Sequence, residues 1–158
     1  MINFALLLQT LVDAGVEFII VGGAAATAHG SSRLTQDLDI VYRRTAENIS
    51  NLVEALSPHS PYLRGAPPGL PFRFDSSTIS NGLNFTLTTT LGDLDLLGEI
   101  TGGGGYEDLR SGTIRIHLFG VDCFCLGLEQ LIRVKRAAGR PKDLEAIAEL
   151  EAILEERK

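Results

Sequence analysis

The chain has 158 residues, of which 44% are hydrophobic and 22% are charged, a balance typical of a folded globular protein. This composition excludes a disordered chain, and the length predicts a single domain spanning 1–158. The formal net charge of -6 makes the chain a poor passive binder of polyanions, so any nucleic-acid contact needs a local basic patch.

Neither a secretory signal nor a membrane span is expected. The N-terminus has no basic region before its apolar residues, and the longest apolar run, 18–28, is interrupted by two glycines. The two cysteines, Cys123 and Cys125, are separated by one residue. That spacing does not suit a disulfide framework, so reduced thiols in or beside a strand are predicted. We expect a cytoplasmic protein.

The first third of the chain alternates helical and extended patterns. Apolar residues at a spacing of three and four predict a first helix, which Asn3 caps and Gly15 stops. The following pattern predicts, in order, a buried strand over 17–21, a short Ala-rich helix over 24–28, a polar loop over 29–36, a strand over 37–42 and a helix capped by Thr45.

The segment 57–71 contains five of the six prolines and is predicted to be a long loop, either a lid or a plain surface crossover. The remainder predicts strands over 83–88 and 93–100, a flexible tetraglycine connection at 102–105, strands over 113–119 and 121–125, and helices over 126–138 and from Pro141 onwards. These elements indicate an α/β fold with a mixed sheet flanked by helices and with helices at the C-terminus.

The sequence Asp37-Leu38-Asp39 carries the clearest chemical signal. Alternate residues of a strand share a face, so the two carboxylates project side by side. At a separation of ~4 Å and an effective dielectric constant of about 20, their repulsion is about 4 kcal/mol. A solvated sheet face can absorb this repulsion, and a bound cation removes it. Mg²⁺ prefers such oxygen ligands.

A second pair, Asp93 and Asp95, lies on another predicted strand. Asp95 is the better candidate for a third carboxylate, because it sits deeper in the apolar run while Asp93 lies at the turn. Three carboxylates can hold two Mg²⁺ ions about 3.5–4 Å apart, the arrangement used for in-line phosphoryl transfer. Mn²⁺ is an alternative ion.

Phosphate-binding residues are predicted on both sides of these acids. Gly22 and Gly23 join a strand to a helix, where free N–H groups can approach a phosphate, although a simple tight turn explains them equally. Lys135 continues the apolar stripe of its helix, so it either faces the carboxylates and a triphosphate or snorkels at the core edge. Arg33 either holds a phosphate or pairs with an acid.

These residues resemble the signature of the nucleotidyltransferase superfamily: Val21-Gly22-Gly23, a spacer, then Asp37-Leu-Asp39-Ile. The longer pattern is similar to minimal bacterial members, including toxin–antitoxin nucleotidyltransferases of the AbiEii type. It extends through Gly92-Asp-Leu-Asp95 to the C-terminal residues 128–143, and so covers nearly the whole chain.

The resemblance implies an enzyme that transfers a nucleoside monophosphate from an NTP, such as ATP, to an acceptor hydroxyl on a protein, an RNA end or a small molecule. It implies that Asp37, Asp39 and Asp95 are the catalytic metal ligands. It also implies that Gly22 and Gly23 cradle the phosphates, and Arg33 and Lys135 are the further candidates for nucleotide binding. The alternative is a non-catalytic module that binds a nucleotide or a cognate toxin or antitoxin.

Overall fold

The computed structural model describes residues 3–33 and 35–158. The strands are β1 (Phe18–Val21), β2 (Asp37–Tyr42), β3 (Tyr62–Leu63), β4 (Phe85–Thr89), β5 (Gly92–Leu97), β6 (Glu99–Ile100), β7 (Gly104–Gly105), β8 (Thr113–Leu118) and β9 (Val121–Leu126). The helices are α1 (Phe4–Asp13), α2 (Gly22–Ala28), α3 (Ala46–Leu56), α4 (Ser76–Asn81), α5 (Tyr106–Leu109), α6 (Leu128–Ala138) and α7 (Pro141–Glu156).

A seven-stranded sheet has the order β3-β4-β5-β2-β1-β9-β8, and β6 pairs with β7 apart from it. At its centre β2 is antiparallel to β1 and parallel to β5. The remaining pairs are antiparallel except β1 with β9. This mixed sheet, flanked by helices and followed by two C-terminal helices, confirms the predicted fold class.

Local sequence accounts for the ends of the main helices. The Asn3 side chain accepts a hydrogen bond from the Leu6 N–H at 3.0 Å, and Gly15 follows the helix with a φ of +74°. Thr45 caps α3 by accepting from the Asn48 N–H at 3.2 Å. Gly139 ends α6 in the left-handed conformation, which a residue with a side chain rarely adopts.

The sheet is buried on the face opposite the predicted site. Leu38 and Ile40 alternate with the acids of β2 and are fully buried. The predicted alternation along this strand is therefore present, because the pleat sends successive side chains to opposite faces. Cys123 and Cys125 lie on β9 as buried free thiols, as expected.

Three sequence predictions need correction. The segment 57–71 is not wholly a loop, because it contains the edge strand β3, which pairs with β4. The predicted strand 93–100 breaks at Gly98, whose N–H donates to the Leu83 carbonyl at 3.1 Å. The tetraglycine segment is not a free connection, because its last two residues form β7 against β6. Helices α4 and α5 carry too few apolar residues to produce a helical pattern, and they were not predicted.

Residue 34, inside the predicted loop 29–36, lies outside the described residues. Within the described ranges, no helix combines the length and apolar character needed to cross a membrane.

Candidate active site

The structure brings the three predicted carboxylates together. One oxygen each from Asp37, Asp39 and Asp95 lies within 4.8 Å of the others. The cause is the parallel register of β2 and β5, which places Asp39 beside Asp95 and Asp37 beside Asp93. Asp95 is the less exposed acid of its pair, with 20% side-chain exposure against 40% for Asp93. Asp93 is not part of the three-oxygen cluster.

Burial and neighbouring acids raise the pKa values of two members of this cluster, Asp37 and Asp39. Burial, a hydrogen bond with Asp95 and the negative charges of Asp37 and Asp95 raise the pKa of Asp39 to about 8. The pKa of Asp37 is also raised, first by burial and then by Asp95. Asp39 Oδ1 is buried and has no hydrogen-bond partner in the part of the chain that the structure describes. An unpaired buried oxygen among crowded acids fits a hard divalent cation.

Gly22 is pressed against this cluster. Its φ is +63°, and a Cβ atom there would lie 2.1 Å from Asp39 Oδ2. A Cβ atom on Gly23 would lie 2.9 Å from Oγ1 of Thr35. Both glycines therefore leave room for side chains of the site, a requirement beyond that of a simple tight turn.

Lys135 reaches the site from α6. Its side chain is only 12% exposed, and its Nζ lies 3.9 Å from Asp143 Oδ1. Burial lowers the pKa of Lys135, while the charges of Asp143 and Asp39 oppose that shift. The lysine thus lies on the inward face of its helix, but whether it binds phosphate stays a prediction.

Arg33 lies 3.7 Å from Glu145 and 3.9 Å from Glu149, both on α7. It therefore has acidic partners, and its guanidinium also lines a cavity beside the carboxylates. His29 ends α2, with Nε2 2.7 Å from the Leu126 carbonyl. That contact gives His29 a structural role.

The start of α7 contributes residues that the sequence analysis did not place in the site. Asp143 is buried and accepts from Arg140 Nε at 2.6 Å, and this pairing with Arg140 holds the pKa of Asp143 below its usual value against the opposing effect of burial. Arg140 and Lys142 line the same cavity as the three acids. Their charges cluster around Pro141 in the sequence, but no local pattern indicated that they would face the three acids.

Arg64 was also missed. It follows β3 at the sheet edge, and its Nη2 lies 2.9 Å from Asp95 Oδ1. One arginine in a proline-rich segment gave no sequence signal, because its position depends on β3 pairing with β4 across a long separation in the chain.

Two cavities meet along shared lining residues, which are Gly22, Asp39, Lys135, Arg140 and Asp143. The cationic cavity, of about 320 Å³, is lined by the three clustered carboxylates, both glycines and four cations, Arg33, Lys135, Arg140 and Lys142. The apolar-walled cavity, of about 340 Å³, contains Asp39 but neither Asp37 nor Asp95. Its aliphatic walls come mainly from Leu97, Ile100, Leu131, Val134 and Ala138, and the polar residues Asn84, Glu99 and Thr101 line this cavity but not the cationic one. Both volumes suit small-molecule ligands.

Known structures share this architecture at low sequence identity. The lincosamide antibiotic adenylyltransferase LnuA, in its lincomycin-bound crystal structure, matches with a TM-score of 0.64 and 14% identity over 96% of this chain and 98% of that chain. A protein from Thermotoga maritima, provisionally classed as a nucleotidyltransferase, matches with a TM-score of 0.59 and 16% identity over 94% of each chain. An antigenic nucleotidyltransferase-like protein from Paracoccidioides brasiliensis matches with a TM-score of 0.55 and 17% identity, over 92% of this chain and 72% of that chain.

No protein-family model and no curated protein matches the sequence. At these identities the structural agreement shows the fold alone, and that fold is the nucleotidyltransferase fold. The resemblance to this superfamily is thereby confirmed at the level of the fold, while the AbiEii type stays a prediction.

Proposed function

We propose that this chain is a cytoplasmic, magnesium-dependent nucleotidyltransferase. It transfers a nucleoside monophosphate from an NTP to an acceptor hydroxyl and releases pyrophosphate. The observation that carries the proposal is the cluster of Asp37, Asp39 and Asp95 oxygens within 4.8 Å, with Gly22 pressed against it, on a nucleotidyltransferase fold.

Asp37, Asp39 and Asp95 are the residues that would hold Mg²⁺, two ions with three carboxylates, and Mn²⁺ suits the same oxygens. Bound there, the ions supply charge stabilisation for the α-phosphate and the leaving pyrophosphate. The raised pKa values of Asp37 and Asp39 support this assignment, because both acids gain a counter-charge when a cation binds.

The triphosphate belongs in the cationic cavity. Four cations line it, Arg33, Lys135, Arg140 and Lys142, and they offset the negative charge of the phosphates. Gly22 and Gly23 lie on the same wall, where the absence of side chains allows a phosphate to approach the backbone.

The nucleoside fits the apolar-walled cavity. That cavity touches Asp39 but lacks Asp95, the acid to which we assign activation of the acceptor hydroxyl. Its aliphatic walls can cover the faces of a planar base, and Asn84, Glu99 and Thr101 offer hydrogen-bonding groups to the base edge or the ribose.

The acceptor approaches over Asp95. In-line displacement requires the attacking oxygen to lie opposite the leaving pyrophosphate, and Asp95 lines the cationic cavity in which the phosphates are placed. Asp95 takes the proton of the acceptor hydroxyl. The new bond forms between that oxygen and the α-phosphorus as the bond from this phosphorus to the pyrophosphate oxygen breaks.

A small-molecule acceptor is the first to test, because LnuA acts on a lincosamide antibiotic and matches this chain over nearly its full length. A protein side chain and an RNA end are the other acceptor classes, and a cognate toxin or antitoxin would be a protein partner. A non-catalytic binding module needs no complete carboxylate set, so the presence of all three acids favours the enzyme.

The test is incubation with each α-labelled NTP and Mg²⁺, first with lincosamides and related hydroxylated antibiotics, then with cell extract. Label should appear on one acceptor, with release of pyrophosphate. Asp39→Asn should abolish labelling, whereas Asp13→Asn, at an exposed acid on α1, should leave it unchanged. Nucleotide binding without any transfer in extract would support the non-catalytic module instead.

A further inference from the structure

Arg64 places one guanidinium among three carboxylates. Its Nη1 lies 3.6 Å from Asp37 Oδ2, its Nε 3.3 Å from Asp93 Oδ2, and its Nη2 2.9 Å from Asp95 Oδ1. The backbone N–H of Arg64 donates to the Thr86 carbonyl at 3.0 Å, which fixes the residue at the end of β3. The side chain therefore reaches from the sheet edge across β4 to the acids of β5 and β2.

These ion pairs are close but poorly aligned. Nη2 donates its well-formed hydrogen bond to the Leu87 carbonyl at 2.7 Å. Arg64 Nε and Asp95 Oδ1 are both buried, and neither has a well-aligned hydrogen bond with any described residue. An arginine that holds a carboxylate permanently usually forms two parallel hydrogen bonds. Here the guanidinium supplies positive charge to the acids, but it lacks the two parallel hydrogen bonds that would fix its position.

The same acids are the predicted metal ligands. Asp37 and Asp95 belong to the three-oxygen cluster, and both lie beside Arg64. A divalent ion bound by these oxygens at about 2.1 Å would lie close to the guanidinium. Two cations at that separation repel strongly in a partly buried site. Metal and guanidinium therefore oppose each other's binding to Asp37 and Asp95.

We propose that Arg64 is a built-in counterion that holds the carboxylate cluster in the metal-free protein and competes with the divalent ion for Asp37 and Asp95. This inference rests on the proposed metal site. Loading of the ion moves the guanidinium outward, where Asp93 keeps it at the rim of the site on the acceptor side. Arg64 is thus a positioning residue for the acids and sets the affinity of the site for metal.

The chain around Arg64 permits this movement. Gly65 follows it with a φ of +78°, and no atom lies within 4 Å of the position of a Cβ atom there. The described structure has neither helix nor strand between β3 and α4. Asp93 is the more exposed acid and lies outside the three-oxygen cluster, so it remains available to the guanidinium when metal occupies the others.

The first test measures Mn²⁺ alone, without nucleotide, by calorimetric titration of the wild type, Arg64→Met and the control Arg73→Met. Arg73 is an exposed arginine in the same segment. Arg64→Met should bind Mn²⁺ about tenfold more tightly than the wild type. This factor is expected if the guanidinium lies away from the acids in about a tenth of the metal-free wild-type molecules. Its metal-free melting temperature should fall, and Arg73→Met should match the wild type. Equal or weaker binding by Arg64→Met overturns the proposal.

A second measurement avoids any dependence on the folding of Arg64→Met. The arginine Nε–H resonance that disappears in Arg64→Lys identifies Arg64 in the wild type. This resonance should shift during Mg²⁺ titration and saturate at the same Mg²⁺ concentration as the rise in melting temperature. A resonance that stays fixed while metal binds refutes the competition but leaves the proposed function intact. If neither the wild type nor Arg64→Met binds metal, the proposed metal site itself is wrong.

Discussion

The burial of Asp39 and its crowding by Asp37 and Asp95 predict that Asp39→Asn stabilises the metal-free protein. Asp39 is a carboxyl whose pKa is raised from 3.8 to about 8 in the folded protein. Between those pH values the native state keeps a proton that the unfolded chain has lost. The free energy of unfolding of the wild type should therefore fall as the pH rises from about 4 to about 8.

The size of the effect follows from the same shift. A rise from 3.8 to about 8 corresponds to at most about 6 kcal/mol at 1.36 kcal/mol for each pKa unit. Asp37 and Asp95 share this repulsion and still crowd each other after the substitution, so we expect a gain of about 1–3 kcal/mol at pH 8. That gain corresponds to a rise in melting temperature of roughly 2–12 °C for a domain of this size. The amide introduced by Asp39→Asn carries no charge and keeps the shape of the carboxyl, so the substitution removes the repulsion without opening a cavity.

The assay is urea denaturation in EDTA at pH 5 and pH 8. Asp39→Asn should be more stable than the wild type at pH 8, and the difference should shrink at pH 5, where the wild-type carboxyl is protonated. Asp13→Asn, at an exposed acid far along the chain, should show neither effect. If Asp39→Asn is less stable at both pH values, Asp39 is a structural residue and the argument from crowded charges is wrong.

Three further predictions concern the metal and the nucleotide. Saturating Mn²⁺, at about 100 times its dissociation constant, should stabilise the wild type by about 2.7 kcal/mol, and Asp95→Asn should remove most of this gain in the same thermal assay. Gly22→Ala should destabilise the protein by about 1–3 kcal/mol and abolish the response to Mn²⁺, because its Cβ atom meets Asp39 Oδ2. The control Gly120→Ala, at a glycine with a positive φ and open space around it on the turn between β8 and β9, should lose stability but keep the response to Mn²⁺. Lys135→Met should weaken NTP binding about tenfold with little change in stability, and unchanged binding by calorimetry would show that the lysine only snorkels.

The sequence alone determined the local geometry of the site. A strand sends alternate side chains to one face, so Asp37 and Asp39 had to project together wherever β2 lay in the sheet. Two other features could also be predicted from a short stretch of sequence, because each depends on backbone conformation over a few residues. They are the glycines at 22 and 23 and the apolar stripe of the helix that contains Lys135. These features predicted the fold class correctly, and the acids of β2 do project together in the structure.

Tertiary structure decided which distant groups meet those acids. The parallel register of β2 and β5 selected Asp95 over Asp93, and the edge pairing of β3 with β4 brought in Arg64. The position of Asp143 beside Lys135 likewise depends on how α7 packs against α6. Strand partners and helix packing are chosen by burial summed over the whole core, which no short window of sequence contains. The sequence therefore specified the acids that need a counter-charge, and only the folded chain specified which cations supply it.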